Sequence, residues 1–336
     1  MKSLINDISL LMPRKLMHCD VGARWGIDKP WQSFRSLIDL LSFEPDKEEY
    51  ELLMKNKSPE DMIYQYALYK ESKSASLNLT KSRGCSSIYK PNYDFLKNYA
   101  DSKRFQIEDV VTVTTASLDS LYNGSVISNM DFIKIDVQGA ELDILNGGKT
   151  FLREHILGIE IEVEFQPLYK EQPLFSDIDA YIRNSLKLQI QDIRKTYWKH
   201  PAGIGIGAVK GQLIFGDALY FRSPYEILSW CSHFDKREGS NKVLMACLMG
   251  IVYGYLDYSL CLLNQSSIKD YLDQDTIDSW RALIMHYGKG LKYNGMGADQ
   301  LAAIINILYR LFQPTHEGWA SIGHHLGTRK KFGVFS

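Results

Sequence analysis

Apolar runs that stop at acidic residues recur along the first part of the chain, and a helical pattern follows each of them. The clearest runs are residues 16–21, 36–43 and 132–137. Runs of this length predict buried strands, and strands that alternate with helices indicate a mainly parallel α/β sheet. The intervening helices are predicted over 30–36, 45–55 and 141–154.

Further apolar or β-branched runs complete the predicted sheet. They lie at 63–69, 75–80, 110–115, 157–165, 188–193 and 212–221. We expect the hairpin-like segment between 75 and 115 and the last strands to add antiparallel edges. Ser176 is a suitable N-cap for a helix through residue 186.

From Pro224 onward the pattern is helical, over 225–232, 242–263, 267–287 and 298–312. We therefore divide the chain into an α/β domain (1–222), an all-helical domain (223–313) and a flexible tail (314–336). Residues 243–263 are the one membrane candidate, but Asp257 and several tyrosines and cysteines favour a packed interior helix. The apolar helices need a partner surface, which is either the first domain or a second copy of the chain.

Composition narrows the function classes. The chain has 336 residues, of which 45% are hydrophobic and 24% charged, and its formal net charge is -1. This balance argues against a surface that follows nucleic-acid phosphates. The five cysteines form no CxxC pair, so we predict neither a disulfide framework nor a metal site. Reduced thiols and the lack of a secretion signal indicate the cytoplasm.

A glycine turn follows the first predicted strand. Gly22 allows a sharp turn after Asp20, Gly26 lets a ligand approach the backbone, and the amides that follow favour an anionic group. The spacing is Gly-x-x-x-Gly, not the Gly-x-Gly-x-x-Gly of dinucleotide enzymes. We therefore favour a ligand with a small carboxylate and an amino group over a pyrophosphate. The alternative is an ordinary strand-to-helix turn.

Glu44 ends the second predicted strand, 22 residues after Gly22. An acidic residue at this separation suits a bidentate grip on a ribose diol. The alternative is a solvated carboxylate favoured by a helix N-terminus. In register with the glycine turn, Glu44 indicates an adenosine-type ligand.

Asp136 lies where a buried strand meets its loop, and a carboxylate there needs partners or a task. It could position an acceptor or remove a proton, or it could cap the helix that Glu141 opens. Gln138 and Glu141 are secondary candidates.

The next strand alternates Ile and Val with glutamate, so one of its faces is acidic. Glu160, Glu162 and Glu164 are expected to face solvent. Glu162 and Glu164 could instead line an acceptor pocket.

Several of these segments resemble the FkbM family of S-adenosylmethionine-dependent methyltransferases, over about residues 15–222. The most specific match is 134–141, Lys-Ile-Asp-Val-Gln-Gly-Ala-Glu. The other matching segments are Asp20-Val21-Gly22-Ala23, Phe43-Glu44-Pro45, Gly84-Cys85-Ser86-Ser87, Leu118-Asp119-Ser120-Leu121 and the acidic strand that follows residue 158. Two positions depart from the family pattern, because family members often have Asn at Arg24 and Glu at Gln138.

The resemblance implies a Rossmann-like, seven-stranded methyltransferase sheet and S-adenosylmethionine as cofactor. It also implies methyl transfer to an oxygen, often on a sugar or a polyketide-type product. Asp20, Gly22 and Ala23 would contact the methionine end and Glu44 the ribose. The predicted cofactor-binding residues are Asp20, Gly22, Ala23, Gly26, Glu44, Ser87 and Asp136, and the predicted catalytic residues are Asp136 and Glu141.

Three hypotheses of function follow. The leading one is a cytoplasmic O-methyltransferase that acts on a glycan or another small-molecule acceptor, with no nucleic-acid partner and no membrane span. It allows a homodimer through the helical domain. The second is a non-catalytic binding or assembly protein that retains the sheet. The third, a nicotinamide oxidoreductase, lacks the diphosphate fingerprint.

Overall fold

A computed structural model describes residues 2–24, 26–204, 211–289, 297, 300–301, 304–305 and 319–322. The predicted helix over 298–312 and the predicted tail lie mostly outside these residues.

Among the residues that the structure describes, eight strands form the main sheet, in the order β3-β2-β1-β7-β8-β10-β9-β11. Its strands are β1 (Leu16–Val21), β2 (Ile38–Phe43), β3 (Met62–Tyr64), β7 (Phe132–Ile135), β8 (Gly158–Glu164), β9 (Leu188–Trp198), β10 (Gln212–Arg222) and β11 (Ala320–Ile322). The first five in this order are parallel, whereas β10, β9 and β11 pair antiparallel to their neighbours. The predicted seven-stranded α/β sheet is confirmed, with β11 as an additional edge strand.

A second sheet holds three strands, in the order β4-β6-β5. These are β4 (Ala67–Leu68), β5 (Ser74–Thr80) and β6 (Ile107–Ala116). The antiparallel pairing of β5 with β6 agrees with the predicted hairpin. Its expected place was wrong, because the hairpin lies in this separate sheet and not at an edge of the main one.

Twelve α-helices have bounds within the part of the chain that the structure describes, and they surround the sheets. They are α1 (Lys2–Leu11), α2 (Lys29–Gln32), α3 (Lys47–Asn56), α4 (Tyr93–Leu96), α5 (Leu118–Asn123), α6 (Glu141–Gly147), α7 (Lys149–His155), α8 (Phe175–Tyr181), α9 (Ile227–Trp230), α10 (Lys236–Tyr253), α11 (Leu256–Leu263) and α12 (Gln274–Gly288).

Two predicted helices are interrupted at glycines, and one begins elsewhere. The helix over 141–154 breaks between α6 and α7, where a Cβ on Gly147 would lie 2.3 Å from the carbonyl oxygen of Tyr69. The helix over 242–263 breaks at Gly254, whose φ of 82° forms a left-handed C-cap. Ser176 is not the N-cap of α8; Leu174 holds that position, and its amide donates to Asp177.

Each face of the main sheet is covered. Side chains of Leu16, Phe132 and Leu219 pack with α1, α10 and α12 in one hydrophobic cluster. The opposite face packs on α5 to α8. The late helices therefore find an apolar partner surface on the sheet itself. The division into domains at residue 222 stays a prediction. Among the described residues, no helix is both long and apolar enough to cross a membrane.

Candidate functional site

An open cavity of about 310 Å³ lies at the carboxyl ends of the parallel strands. Gly22 after β1, Glu44 after β2, Asp136 after β7 and Glu162 near the end of β8 all line it. Ligands of open α/β sheets bind at this edge, where the strand order reverses. Three segments predicted to converge therefore share one cavity.

Gly22 forms the floor of this cavity. Its φ is +78°, and a Cβ built on it would lie 2.0 Å from the carbonyl oxygen of Asp136. Its amide donates to the carbonyl of Phe43 at 3.0 Å. The loops after β1 and β7 thus touch through backbone atoms, and a side chain at Gly22 would push them apart.

Glu44 lines the cavity and is largely buried. Its carboxylate accepts the Asp46 amide at 2.9 Å. Burial raises the pKa of Glu44 to about 7, and this hydrogen bond and nearby Arg24 oppose the rise. Arg24 itself is held by Asp46 at 2.7 Å. Glu44 is therefore a fixed acceptor whose charge changes near neutral pH.

Asp20 does not line the cavity but lies behind it, on the sheet face that α10 covers. Asp20, Lys134 and Glu160 are register partners on three adjacent strands, so their side chains share that face. Neither oxygen of Asp20 has a hydrogen-bond partner. Burial raises its pKa to about 7, although the charge of Lys134 opposes this.

Lys134 connects this buried row to the cavity. Its Nζ lies 3.5 Å from Asp136 and 3.6 Å from Asp28. Burial alone would lower the pKa of Lys134, but Asp136, Asp20 and Asp28 raise it well above its ordinary value. A lysine in a strand otherwise made of apolar residues is the sequence signal that points to this buried ion pair.

Four further predicted residues support the loops without lining the cavity: Ala23, Gly26, Ser87 and Glu141. Ser87 donates its hydroxyl to the Gln138 carbonyl at 2.7 Å. Gly26 donates its amide to Ala23 at 2.9 Å and closes the turn. Glu141 is fully buried, and its carboxylate accepts the amides of Val137 at 3.0 Å and Gly139 at 2.9 Å.

Gln138 joins two carboxylates at the cavity wall. Its Nε2 donates to Asp136 at 3.0 Å and also to Glu162. The Tyr169 hydroxyl donates to its Oε1 at 3.0 Å. The side-chain amide is thus fully engaged, and it sets the relative positions of Asp136 and Glu162.

The expectation that Glu160, Glu162 and Glu164 face solvent was wrong. All seven residues of β8 are buried, because the strand is central and helices cover both faces. Burial raises the pKa of Glu160 to about 8 and the pKa values of Glu162 and Glu164 well above the ordinary range.

Aromatic side chains form a wall of the cavity that sequence reasoning missed. Phe105, Trp198 and Phe215 line it together with Arg83 and Arg104. The three aromatic residues come from separate elements, so their sequence positions gave no common signal.

Residues 20–187 match the methyltransferase FkbM domain, which is half of the chain. The chain belongs to this family. The family and its cofactor, S-adenosylmethionine, are therefore as predicted. The 2-O-methyltransferase NoeI of Sinorhizobium fredii is 27% identical over 184 residues, which cover 51% of this chain and 73% of NoeI.

Solved methyltransferases overlap with the chain only loosely. Magnesium protoporphyrin IX methyltransferase (ChlM) of Synechocystis, with bound S-adenosylmethionine, has a TM-score of 0.32 at 8% identity and covers 66% of this chain and 79% of its own. The N-terminal domain of EvdMO1, with S-adenosylhomocysteine and D-fucose, has a TM-score of 0.31 at 8% identity, with coverages of 66% and 84%.

The cavity of this FkbM-family methyltransferase fits its cofactor on two observations. Gly22 lines the cavity without a side chain, and its close backbone contact with Asp136 fixes the loops after β1 and β7 at that wall. The carboxylates of Glu44, Asp136 and Glu162 line the same cavity and suit a ligand that carries positive charge.

Proposed function

We propose that this methyltransferase is an O-methyltransferase that acts on a hydroxyl group of a sugar, a glycan or a similar natural-product acceptor. The observation that carries the proposal is the pair of carboxylates, Asp136 and Glu162, that Gln138 holds at the wall of the cavity. The likeness to a 2-O-methyltransferase supports the choice of an oxygen acceptor.

We assign the cofactor to the end of the cavity formed by Gly22 and Glu44. The backbone at Gly22 and Ala23 would contact the methionine part of the cofactor. The Glu44 carboxylate would accept hydrogen bonds from both ribose hydroxyls. Asp20 lies behind this loop with no hydrogen-bond partner, so its charge would act through the loop and not by direct contact. Gly26 and Ser87 would keep the loops in place.

When bound, S-adenosylmethionine supplies an electrophilic methyl group on a cationic sulfur. The protein has to align an acceptor oxygen with it, exclude water and accept the hydroxyl proton. Asp136 is half-buried at the cavity and held beside Lys134, so we assign the proton to its carboxylate. Glu141 would be a positioning residue, because its oxygens already hold the loop amides.

We place the acceptor against Phe105, Trp198 and Phe215. Aromatic faces cover the apolar C–H faces of sugar rings, and the polar groups of the cavity can then select among the hydroxyls. The formal net charge of -1 supports an acceptor other than nucleic acid. The five cysteines are unpaired, which supports a cytoplasmic location.

The test combines calorimetry with mass spectrometry. S-adenosylhomocysteine should bind the wild type, Glu44→Ala should weaken this binding, and Asp136→Asn should lower turnover while leaving affinity nearly unchanged. Candidate glycans incubated with methyl-labelled cofactor should gain one methyl group. An absence of binding heat from folded protein would overturn the proposal. Binding without methylation of any acceptor would favour the non-catalytic alternative.

A further inference from the structure

Three buried carboxylates meet beside the cavity. Glu141 comes from the start of α6, and Glu162 and Glu164 come from β8. One oxygen from each lies within 4.8 Å of one from each of the others. All three side chains are buried, and Glu162 also reaches the cavity wall.

Glu164 is the member of this cluster with the fewest hydrogen bonds. It is 1% exposed, and neither of its oxygens has a hydrogen-bond partner. Burial, followed by the charges of Glu141 and Asp136, raises its pKa, and the nearby Gln172 amide and a backbone amide oppose the rise. An unpartnered buried carboxylate is costly, so its orientation toward two other carboxylates needs a compensating group.

No cationic side chain among the described residues forms an ion pair with any of the three glutamates. Lys134, a buried cation of the sheet, is engaged by Asp28 and Asp136. Glu162 receives a hydrogen bond from Gln138, and Glu141 receives two backbone amides. Those donors are neutral, so none of them is a counterion for the three carboxyl groups.

We propose that Glu141, Glu162 and Glu164 bind one hard divalent cation. Carboxylate oxygens are the ligands that Ca²⁺, Mn²⁺ and Mg²⁺ prefer. Oxygens on opposite sides of a calcium ion lie about 4.6–5.2 Å apart, given Ca–O distances of about 2.3–2.6 Å. The separations in this cluster, all within 4.8 Å, suit one shared ion. The sequence had predicted no metal, because the three carboxylates converge only in the fold.

The cation would have two consequences. It would neutralise the buried cluster and so stabilise the fold, which needs no assumption about activity. It would also lie next to Glu162 at the cavity, where a divalent ion favours the deprotonated form of a nearby hydroxyl. This second consequence rests on the proposed function.

The test uses the full chain after treatment with a chelator. Titration with Mn²⁺, followed by electron paramagnetic resonance, should show one bound ion per chain in the wild type and at least tenfold weaker binding in Glu164→Gln. The matched control is Glu160→Gln on the same strand, where the glutamate accepts from Tyr253 at 2.6 Å and lies outside the cluster. It should bind Mn²⁺ like the wild type.

A second measurement distinguishes the loss of the cation site from misfolding of the variant. Ca²⁺ should raise the melting temperature of the wild type and of Glu160→Gln but not of Glu164→Gln. Without the cation, Glu164→Gln should melt at or above the wild-type temperature, because the substitution removes a buried charge. The absence of bound Mn²⁺, or equal binding by Glu164→Gln, would overturn the cation site. Binding of S-adenosylhomocysteine, measured in parallel, tests the proposed function separately.

Discussion

Lys242 donates to Asp131 at 2.7 Å, and neither side chain is exposed to solvent. The lysine lies in α10 and the aspartate lies just before β7, 111 residues earlier. Lys242 also donates to the carbonyls of Met130 and His155, and Arg14 grips the same aspartate at 2.6 Å. This buried network ties the helical layer to the centre of the sheet.

Replacing Lys242 with methionine should destabilise the protein by up to about 3–5 kcal/mol, because Asp131 would keep Arg14 as its one remaining ion-pair partner. Burial alone would raise the pKa of Asp131, but Lys242 and Arg14 outweigh it and hold the pKa well below its usual range. Urea unfolding at neutral pH measures the loss. Lys236→Met, on the exposed start of the same helix, is the control and should change stability little. Equal effects of the two substitutions would mean that the buried pair does not anchor α10.

Gly22→Ala should disrupt the cavity floor. The added methyl group would meet the Asp136 carbonyl at 2.0 Å, in a backbone conformation with φ of +78°. The strain alone is about 1–3 kcal/mol, and the clash adds to it. Thermal melting should show the loss, and calorimetry should show weakened binding of S-adenosylhomocysteine.

Gly84→Ala is the matched control for this substitution. Gly84 lines the same cavity, but a Cβ there meets no atom within 4 Å. Its folding stability should stay near that of the wild type. A Gly22→Ala protein as stable as Gly84→Ala would show that the loops after β1 and β7 can separate without loss.

The central strands can be predicted well from the sequence, whereas the burial of polar residues cannot. An apolar run that ends near Asp20 or Asp136 is a local signal. The observed bounds of β1 and β7 differ from the predicted bounds by at most two residues. The burial of Glu164 is not local, because Glu141 of α6 meets it only in the folded chain. Trp198 and Phe215 reach the cavity from β9 and β10, which turn back toward β8 only in the folded chain.

Glu44 should make cofactor affinity depend on pH. Burial raises its pKa to about 7, so the ionised form, which we propose to accept hydrogen bonds from both ribose hydroxyls, is lost as the pH falls below that value. We expect the affinity for S-adenosylhomocysteine to fall by up to about tenfold per pH unit below 7. Calorimetry at pH 8, 7 and 6 measures this, and Glu44→Gln should bind weakly at every pH. Glu51→Gln, exposed on α3, should retain the wild-type profile. A flat wild-type profile would contradict the assignment of Glu44 to the ribose.

Gln138→Glu should lower stability by about 1–3 kcal/mol, because a donor to two carboxylates becomes a third carboxylate beside them. The loss should be larger at pH 9 than at pH 6, since a protonated carboxyl group can still donate one hydrogen bond. Denaturant unfolding at both pH values tests this. Gln189→Glu, exposed on β9, adds the same charge and should have little effect. A stabilised Gln138→Glu protein would show that Asp136 and Glu162 do not rely on the amide.

His18 is buried between Trp31 and Phe132, with ring centroids 5.0 and 5.4 Å away, and neither of its ring nitrogens has a hydrogen-bond partner. Burial, followed by the charge of Lys134, lowers its pKa from 6.5 to about 3. Below pH 6.5 the histidine binds a proton in the unfolded chain but not in the folded chain. This residue therefore lowers the stability of the fold as the pH falls, by about 1.4 kcal/mol per pH unit.

His18→Phe should therefore stabilise the protein more at pH 5 than at pH 8, as measured by denaturant unfolding at both pH values. His286→Phe, on the exposed side of α12, should leave the difference between the two pH values unchanged. If His18→Phe gives the same change at both pH values, His18 is not held neutral in the fold.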